Sequence, residues 1–251
     1  MKATIAESYT LPSKGLIYKT PINPEVTIRS MTLAEEMRRT QLQQNKDEAY
    51  RMMSDIIDDC IETKLPISSY DMCLGDYQFL LHKLRIITYG PEYKMAILCS
   101  NCGERNDLTI NLDDLKVIEI PENYQELTEI TLPRTKDVIK LKFQTPRMLD
   151  MIAKERRDMK KQFPDLEGDP TILIELQNVI EEVNGKKMPK LGLQEYIKNL
   201  PMMDIQYLLQ GASKLSDCIG IDPSIKFKCD SCGVENDASF RFTLEFFTPT
   251  Y

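Results

Sequence analysis

A chain of 251 residues, 42% of them apolar, can bury a sizeable core in one large domain or in two of ordinary size. Its net charge of −7 and pI near 5.0 argue against broad electrostatic capture of nucleic acid or of an anionic membrane, both of which need a positive surface. No apolar run approaches the ~20 residues of a membrane span, so no membrane partner is expected.

The first thirty residues read as extended chain with a hairpin. Leu11-Pro12-Ser13-Lys14-Gly15 is a turn signal, Leu16-Ile17-Tyr18 follows, Pro21 and Pro24 mark a loop, and Val26-Thr27-Ile28-Arg29 alternates. Thr32-Leu33-Ala34-Glu35 has capping-box spacing. In such a box the Thr32 hydroxyl accepts from the Glu35 N–H and the carboxylate reaches back, which predicts a helix from Leu33 to about Gln44. A second helix from about Lys46 puts Tyr50, Met53, Ile56, Ile57 and Cys60 on one stripe, and Leu65-Pro66 stops it. A third, from about Ser69 to Thr88, carries Leu74, Tyr77, Leu80, Leu81, Leu84 and Ile87 and ends at Gly90-Pro91. Tyr93 to Leu98 is a strand entering Cys99-Ser-Asn-Cys102-Gly103, and Leu108 to Leu112 is a strand leaving it.

After a connector the order begins again. Thr131-Leu132-Pro133 echoes Thr10-Leu11-Pro12, Val138 to Phe143 echoes Val26 to Arg29, and Thr145-Pro146 opens a helix as Thr32 does. That helix runs to about Gln162. Asp169-Pro170 opens another, with Ile172, Leu173, Leu176, Val179, Ile180 and Val183 apolar and Asn184-Gly185 closing it. Leu193 to Asn199 adds a short helix, Met203 to about Cys218 a long one, and Ile225 to Lys228 enters Cys229-Asp-Ser-Cys232-Gly233, with Ser239 to Phe246 beyond. The expected architecture is α+β: two related halves, residues 1–115 and 131–251 around a connector 116–130, each of strands, helices and a cysteine-knuckle hairpin. The rival account is chance recurrence of a common pattern.

Both Cys-x-x-Cys-Gly turns carry an Asn-Asp pair after two intervening residues, Asn106-Asp107 and Asn236-Asp237, so they look like copies of one device. A Cys-x-x-Cys turn aims two thiolates at one point, and tetrahedral zinc takes four. The 127 positions between Cys102 and Cys229 (229 − 102) far exceed the one or two dozen of an ordinary zinc ribbon. Duplication accounts for the gap if each half donates one knuckle. Cys99, Cys102, Cys229 and Cys232 are therefore the candidate ligands of one structural zinc on a pseudo-twofold axis. Separate reduced knuckles or a disulfide are the alternatives; an odd count of seven cysteines and an N-terminus unlike a secretory signal disfavour the disulfide. His82, the one histidine, sits in an apolar helical pattern and reads as a core or edge residue, and Cys60, Cys73 and Cys218 read as small apolar residues within helices.

No phosphate loop, nucleophile elbow, zinc-protease helix or dinucleotide fingerprint is present, and four thiolates leave a zinc no open position for catalysis. Asp58-Asp59, Asp113-Asp114 and Glu181-Glu182 are adjacent in sequence and read as solvated faces. Lys154 to Lys161 is basic on one helical face and could touch phosphate, but at this overall charge it reads rather as a solvated face or a protein contact. No catalytic residue is assigned.

Leu11-Pro12-Ser13-Lys14-Gly15 with Tyr18, then Val26-Thr27-Ile28-Arg29-Ser30-Met31-Thr32 leading into Glu35-Glu36, resembles the opening of the T-even-type bacteriophage baseplate hub and hub-assembly proteins. The resemblance covers mainly the first forty residues. It implies a non-enzymatic protein that joins or chaperones the hub of a tail baseplate, assembled in the host cytoplasm and present in the virion if it stays. Other tail and hub proteins are then its partners, and nucleic acid is not. The rival is a zinc-ribbon nucleic-acid-binding or transcription-associated protein. Tyr9 to Arg29 suits an extended arm that either packs on its own sheet or docks on a partner.

Overall fold

The computed structural model describes residues 4–20, 22–42, 48–162, 169–239 and 244–247. Helices alternate with small antiparallel sheets, the α+β class expected. Strands β1 (Ala6–Thr10) and β2 (Glu25–Arg29) pair with Tyr9 opposite Val26. Helices α1 (Leu33–Leu42), α2 (Ala49–Cys60) and α3 (Leu74–Tyr89) follow, then the ribbon β3 (Glu92–Leu98) and β4 (Arg105–Asn111). Next come β5 (Val117–Ile118), α4 (Tyr124–Leu127), β6 (Glu129–Thr131), β7 (Val138–Leu141), α5 (Pro146–Gln162), α6 (Thr171–Val179) and β8 (Ile180–Val183). The order closes with α7 (Lys190–Asn199), α8 (Met202–Asp217), β9 (Gly220–Ile221), and the second ribbon, β10 (Ser224–Lys228) and β11 (Glu235–Ser239). The expected ends at Gln44 and Lys46 lie outside the described residues.

Apolar periodicity builds two cores. In the first, inward Val26 and Ile28 of β2 meet Met53, Ile56, Ile57 and Cys60 of α2 and Tyr77, Leu80, Leu81 and Leu84 of α3. Leu11 and Ile22 are buried there too, so the Tyr9–Arg29 segment packs on its own sheet. Phe246 and Phe247, on a 3-10 turn at 244–247, complete this core from far along the chain. Buried Arg85 anchors them: its Nε donates to the Phe246 carbonyl at 3.0 Å and its Nη1 to the Gly90 carbonyl at 2.8 Å. The second core joins Ile139 and Leu141 of β7 to Leu176 and Val179 of α6, Leu193 and Ile197 of α7, and Ile205 and Leu208 of α8.

Four local structures depart from expectation. The predicted helix through Val183 ends at Val179, because Ile180 and Val183 leave it to bury themselves as β8 against β7. Asn184 (φ 50°) and Gly185 (φ 73°) then form a two-residue hairpin turn, with Val183 and Lys186 exchanging backbone bonds of 2.9 and 3.0 Å, rather than a helix cap. The third helix is broken into a 3-10 turn, Ser69–Asp71, and α3, whose cap is Cys73. The capping box at Thr32 is half formed: the Glu35 carboxylate accepts from the Thr32 N–H at 2.7 Å, and the Thr32 hydroxyl donates to it rather than accepting from the helix.

Two loops are built alike, though the second is one residue longer. In the first, Lys14 N–H bonds the Leu11 carbonyl with Lys14 at φ 52°, and the Ser13 N–H donates to Asp76 of α3 at 2.9 Å. In the second, Lys136 N–H bonds the Leu132 carbonyl with Lys136 at φ 65°, and the N–H groups of Arg134 and Thr135 donate to Asp204 of α8 at 2.9 and 3.0 Å. Each Leu-Pro turn is thus tied to a carboxylate in the first turn of a long helix.

Segments far apart in sequence interlock. Asp150 of α5 accepts from the N–H groups of Tyr50 (3.4 Å) and Arg51 (3.0 Å), satisfying free donors at the start of α2. Arg147 grips Asp71 through Nε and Nη2 at 2.5 and 2.8 Å and lies over the Tyr70 ring. β5 pairs with β9. Beside that pair Gly75 meets Ile219 and Gly220 so closely that a Cβ on Gly75 would lie 2.5 Å from the Ile219 carbonyl oxygen.

Candidate metal centre

Each cysteine turn is built by its ribbon. The last pairs are Leu98 with Arg105 and Lys228 with Glu235. Beyond them Cys99 N–H donates to the Glu104 carbonyl (2.8 Å) and Gly103 N–H to the Cys99 carbonyl (3.0 Å). In the second turn Cys229 N–H donates to the Val234 carbonyl (3.0 Å) and Gly233 N–H to the Cys229 carbonyl (2.9 Å). Gly103 and Gly233 stand at φ 73° and 72°, the left-handed region that a side chain would strain.

The two turns face one another. Cys99 Sγ lies 3.7 Å from Cys232 Sγ, and Cys102 Sγ 3.7 Å from Cys229 Sγ. All four sulfurs fall within 4.8 Å of one another, a group that could hold a metal ion. A disulfide would need ~2.05 Å, and the seven cysteines are free thiols. Cys99 and Cys229 are buried, while Cys102 and Cys232 lie toward solvent.

The sequence reading passed over two residues that lock the turns together. Buried Asn236 reaches across: its Oδ1 accepts from the Ser100 N–H (2.9 Å) and hydroxyl (2.7 Å), and its Nδ2 donates to the Val234 carbonyl (2.9 Å) and toward Cys99 Sγ (3.4 Å). Buried Asn106 does the same in the other direction, accepting from the Asp230 N–H (3.0 Å) and donating to the Glu104 carbonyl (3.0 Å). The signal was visible as the repeated Asn-Asp tag. Its use was not, because each asparagine satisfies the residue after the first cysteine of the opposite knuckle.

The electrostatics suit a cation. Backbone N–H groups, first that of Cys102, then Asn101 and the Asn236 amide, draw the Cys99 thiol down to about 6 against burial. The Cys232 N–H, with Ser231 and Asn106, lowers Cys229 in the same way. Cys102 also receives a backbone N–H, from Glu104, yet burial and the surrounding sulfurs push it up to about 12. Four thiols so placed cannot all ionise side by side, and a bound cation removes that repulsion.

The remaining candidates lie elsewhere. His82 is buried in α3, its Nε2 2.9 Å from the Leu112 carbonyl, and burial lowers it to about 4. Cys60 is in the first core, and burial raises its thiol to about 12. Cys73 and Cys218 flank helices rather than sit within them: Cys73 Sγ accepts from the Asp76 N–H at 3.4 Å, and Cys218 donates to the Leu215 carbonyl at 3.2 Å. Asp58, of the first carboxylate pair, accepts from Ser68 Oγ and Ser69 N–H, holding a loop.

These features define an α+β protein in which two matching hairpins bring four thiols to one point. The chain belongs to the family of T4 bacteriophage base plate proteins, whose model matches residues 5–248. The likeness seen over the first forty residues therefore extends over nearly the whole chain, and it makes this a phage baseplate protein, associated with the virion tail and in contact with other tail proteins. Comparison with curated proteins and with solved structures gives no match. Among the described residues no helix is long and apolar enough to cross a membrane.

Proposed function

We propose that this protein is a non-enzymatic component of the baseplate hub, or a factor in hub assembly, made of two related halves that a structural zinc clamps together. The observation that carries the reading is the convergence of two like cysteine turns, 127 positions apart, on one four-sulfur cluster in a chain of the baseplate family. A zinc with four Zn–S bonds of ~2.3 Å has tetrahedral edges of ~3.8 Å, close to the 3.7 Å of both cross-knuckle pairs. Soft thiolates select zinc over magnesium or calcium. Cys99, Cys102, Cys229 and Cys232 would hold the ion, which supplies folding energy there and, with its shell closed by thiolates, no site for substrate.

The halves, 1–115 and 131–251 around connector 116–130, are supported by the twin Leu-Pro turns on Asp76 and Asp204 and by the reciprocal Asn106 and Asn236. They are supported too by order: hairpin, two helices, long helix, knuckle, 3-10 turn, with α7 inserted before the long helix of the second half. The third strand recurs as well, since Ile61 bridges Ile28 where β8 pairs with β7. The protein would assemble in the host cytoplasm and act through its surfaces.

The test is purification from infected cells, with identification of what co-purifies and elemental analysis. Hub proteins and about one zinc per chain are expected. Purified protein free of metal, or one that shifts DNA in a salt-dependent gel assay and brings no tail protein with it, refutes the reading.

A further inference from the structure

Helix α5 has 17 residues, yet those it buries, Pro146, Met148, Asp150 and Ile152, all lie in its first two turns. From Ala153 to Gln162, about 15 Å at 1.5 Å per residue, no side chain is fully buried, though Glu155, Arg156, Arg157 and Met159 are half-buried. This stretch carries Lys154, Arg156, Arg157, Lys160 and Lys161 against Glu155 and Asp158, a net +3 in a chain of −7, leaving −10 on the remainder (−7 − 3). Glu155 is engaged by Lys190 at 2.5 Å.

The stretch is a helix against its own charges. Arg156 and Lys160 stand four residues apart, as do Arg157 and Lys161, so like charges meet on the surface and oppose the helix. The helix dipole favours cations in the last turn, and Asp169, just before α6, faces Arg156 and Lys160. At its root Met151 is 45% exposed and Tyr50 37% exposed, and Asp150 links the two positions by accepting from the Tyr50 N–H. Two exposed apolar side chains at the root of a cationic helix stretch have the composition of a protein-docking patch, an apolar anchor with a charged rim.

We propose that α5 from Met151 to Lys161 docks an acidic surface of another baseplate chain, its carboxylates meeting Lys154, Lys160 and Lys161 and its apolar side chain meeting Met151 and Tyr50. The occupant is a protein because the exposed Met151 and Tyr50 offer apolar contact, for which a phosphate backbone has no use. The proposal rests on the reading of this chain as a baseplate protein that works by protein contacts.

The test uses the full zinc-loaded chain with three fluorescein-labelled probes: poly-L-glutamate, random poly(Glu,Tyr), and a DNA duplex of equal charge. At low salt poly-L-glutamate binds, and added salt weakens it. The K154E/K160E/K161E variant weakens it at least about tenfold. K64E/K198E/K214E, which adds the same charge at exposed lysines elsewhere, leaves it within about twofold. Poly(Glu,Tyr) binds more tightly than poly-L-glutamate, and Met151→Ala removes the difference. Absence of binding, equal loss from the two triple variants, no advantage for the tyrosine copolymer, or tighter binding of the duplex overturns the proposal. Zinc content and co-purifying hub proteins are read separately, so failure here leaves the broader reading standing.

Discussion

Replacing Asn236 by alanine tests whether the two knuckles act as one unit. The side chain makes three good hydrogen bonds, to Ser100 N (2.9 Å), Ser100 Oγ (2.7 Å) and the Val234 carbonyl (2.9 Å), and a weaker one to Cys99 Sγ. At a net ~1 kcal/mol each, with the Ser100 N–H left unsatisfied, the loss is about 3 kcal/mol. For a chain of this length each kcal/mol is ~2–4 °C, so the melting midpoint should fall by about 6–12 °C. Asn236 also orients a proposed ligand from outside the coordination shell, and loss of such a partner costs ~10–100-fold in metal affinity. Scanning calorimetry and competition with a chromogenic chelator read the two effects. Asn106→Ala should act in the same direction through Asp230. If Asn236→Ala melts with the wild type and holds zinc as tightly, the clamp is not built as argued.

Four further outcomes follow from the packing. Cys229→Ser should release zinc and lower the melting midpoint, while Cys60→Ser, deep in the first core, should keep its zinc; equal metal loss from both would show the wrong cysteines had been chosen. Burial raises the Glu35 carboxyl, but hydrogen bonds from Arg29 and Thr32 outweigh it and hold the group down to about 2 from the usual 4.5. Its contribution is therefore full above pH 4.5 and lost as pH falls toward 2, and Glu35→Gln should flatten that part of an acid-unfolding curve. Gly75→Ala drives a Cβ into the Ile219 carbonyl and should cost about 1–3 kcal/mol or more, read as a lower urea midpoint. Deleting residues 1–24 removes Leu11, Ile22 and the Ser13 tie to Asp76, so the product should be unfolded by circular dichroism; a folded product would mean the arm is dispensable.

What was legible in the sequence depended on range. Amphipathic stripes such as Met53, Ile56, Ile57 and Cys60 report a helix by themselves, and the cysteine turns report their own geometry through glycine. Ile180 to Val183 does not: an apolar run continuing a helical pattern suits either state, and only pairing with β7 decides it. The Asn184-Gly185 pair carried the missing signal, since successive left-handed residues make a hairpin turn more readily than a helix end. Likewise Tyr9 to Arg29 could pack or dock, and the tie by which it packs is to an aspartate on α3, 63 positions beyond Ser13. The asparagines were plain as a repeated tag, but their hydrogen bonds join residues 124 and 136 positions apart.

The placement of Phe246 and Phe247 bears on timing during synthesis. Leu112 is the last of the first core's buried side chains before Ile221, and Phe246 follows it by 134 residues (246 − 112). At ~5–20 residues per second a ribosome takes about 7–27 s to cover that distance. Throughout that interval the emerging N-terminal portion has an open core and an Arg85 guanidinium still lacking its Phe246 acceptor. The first core therefore cannot close ahead of the second, whose last buried side chain is Leu215.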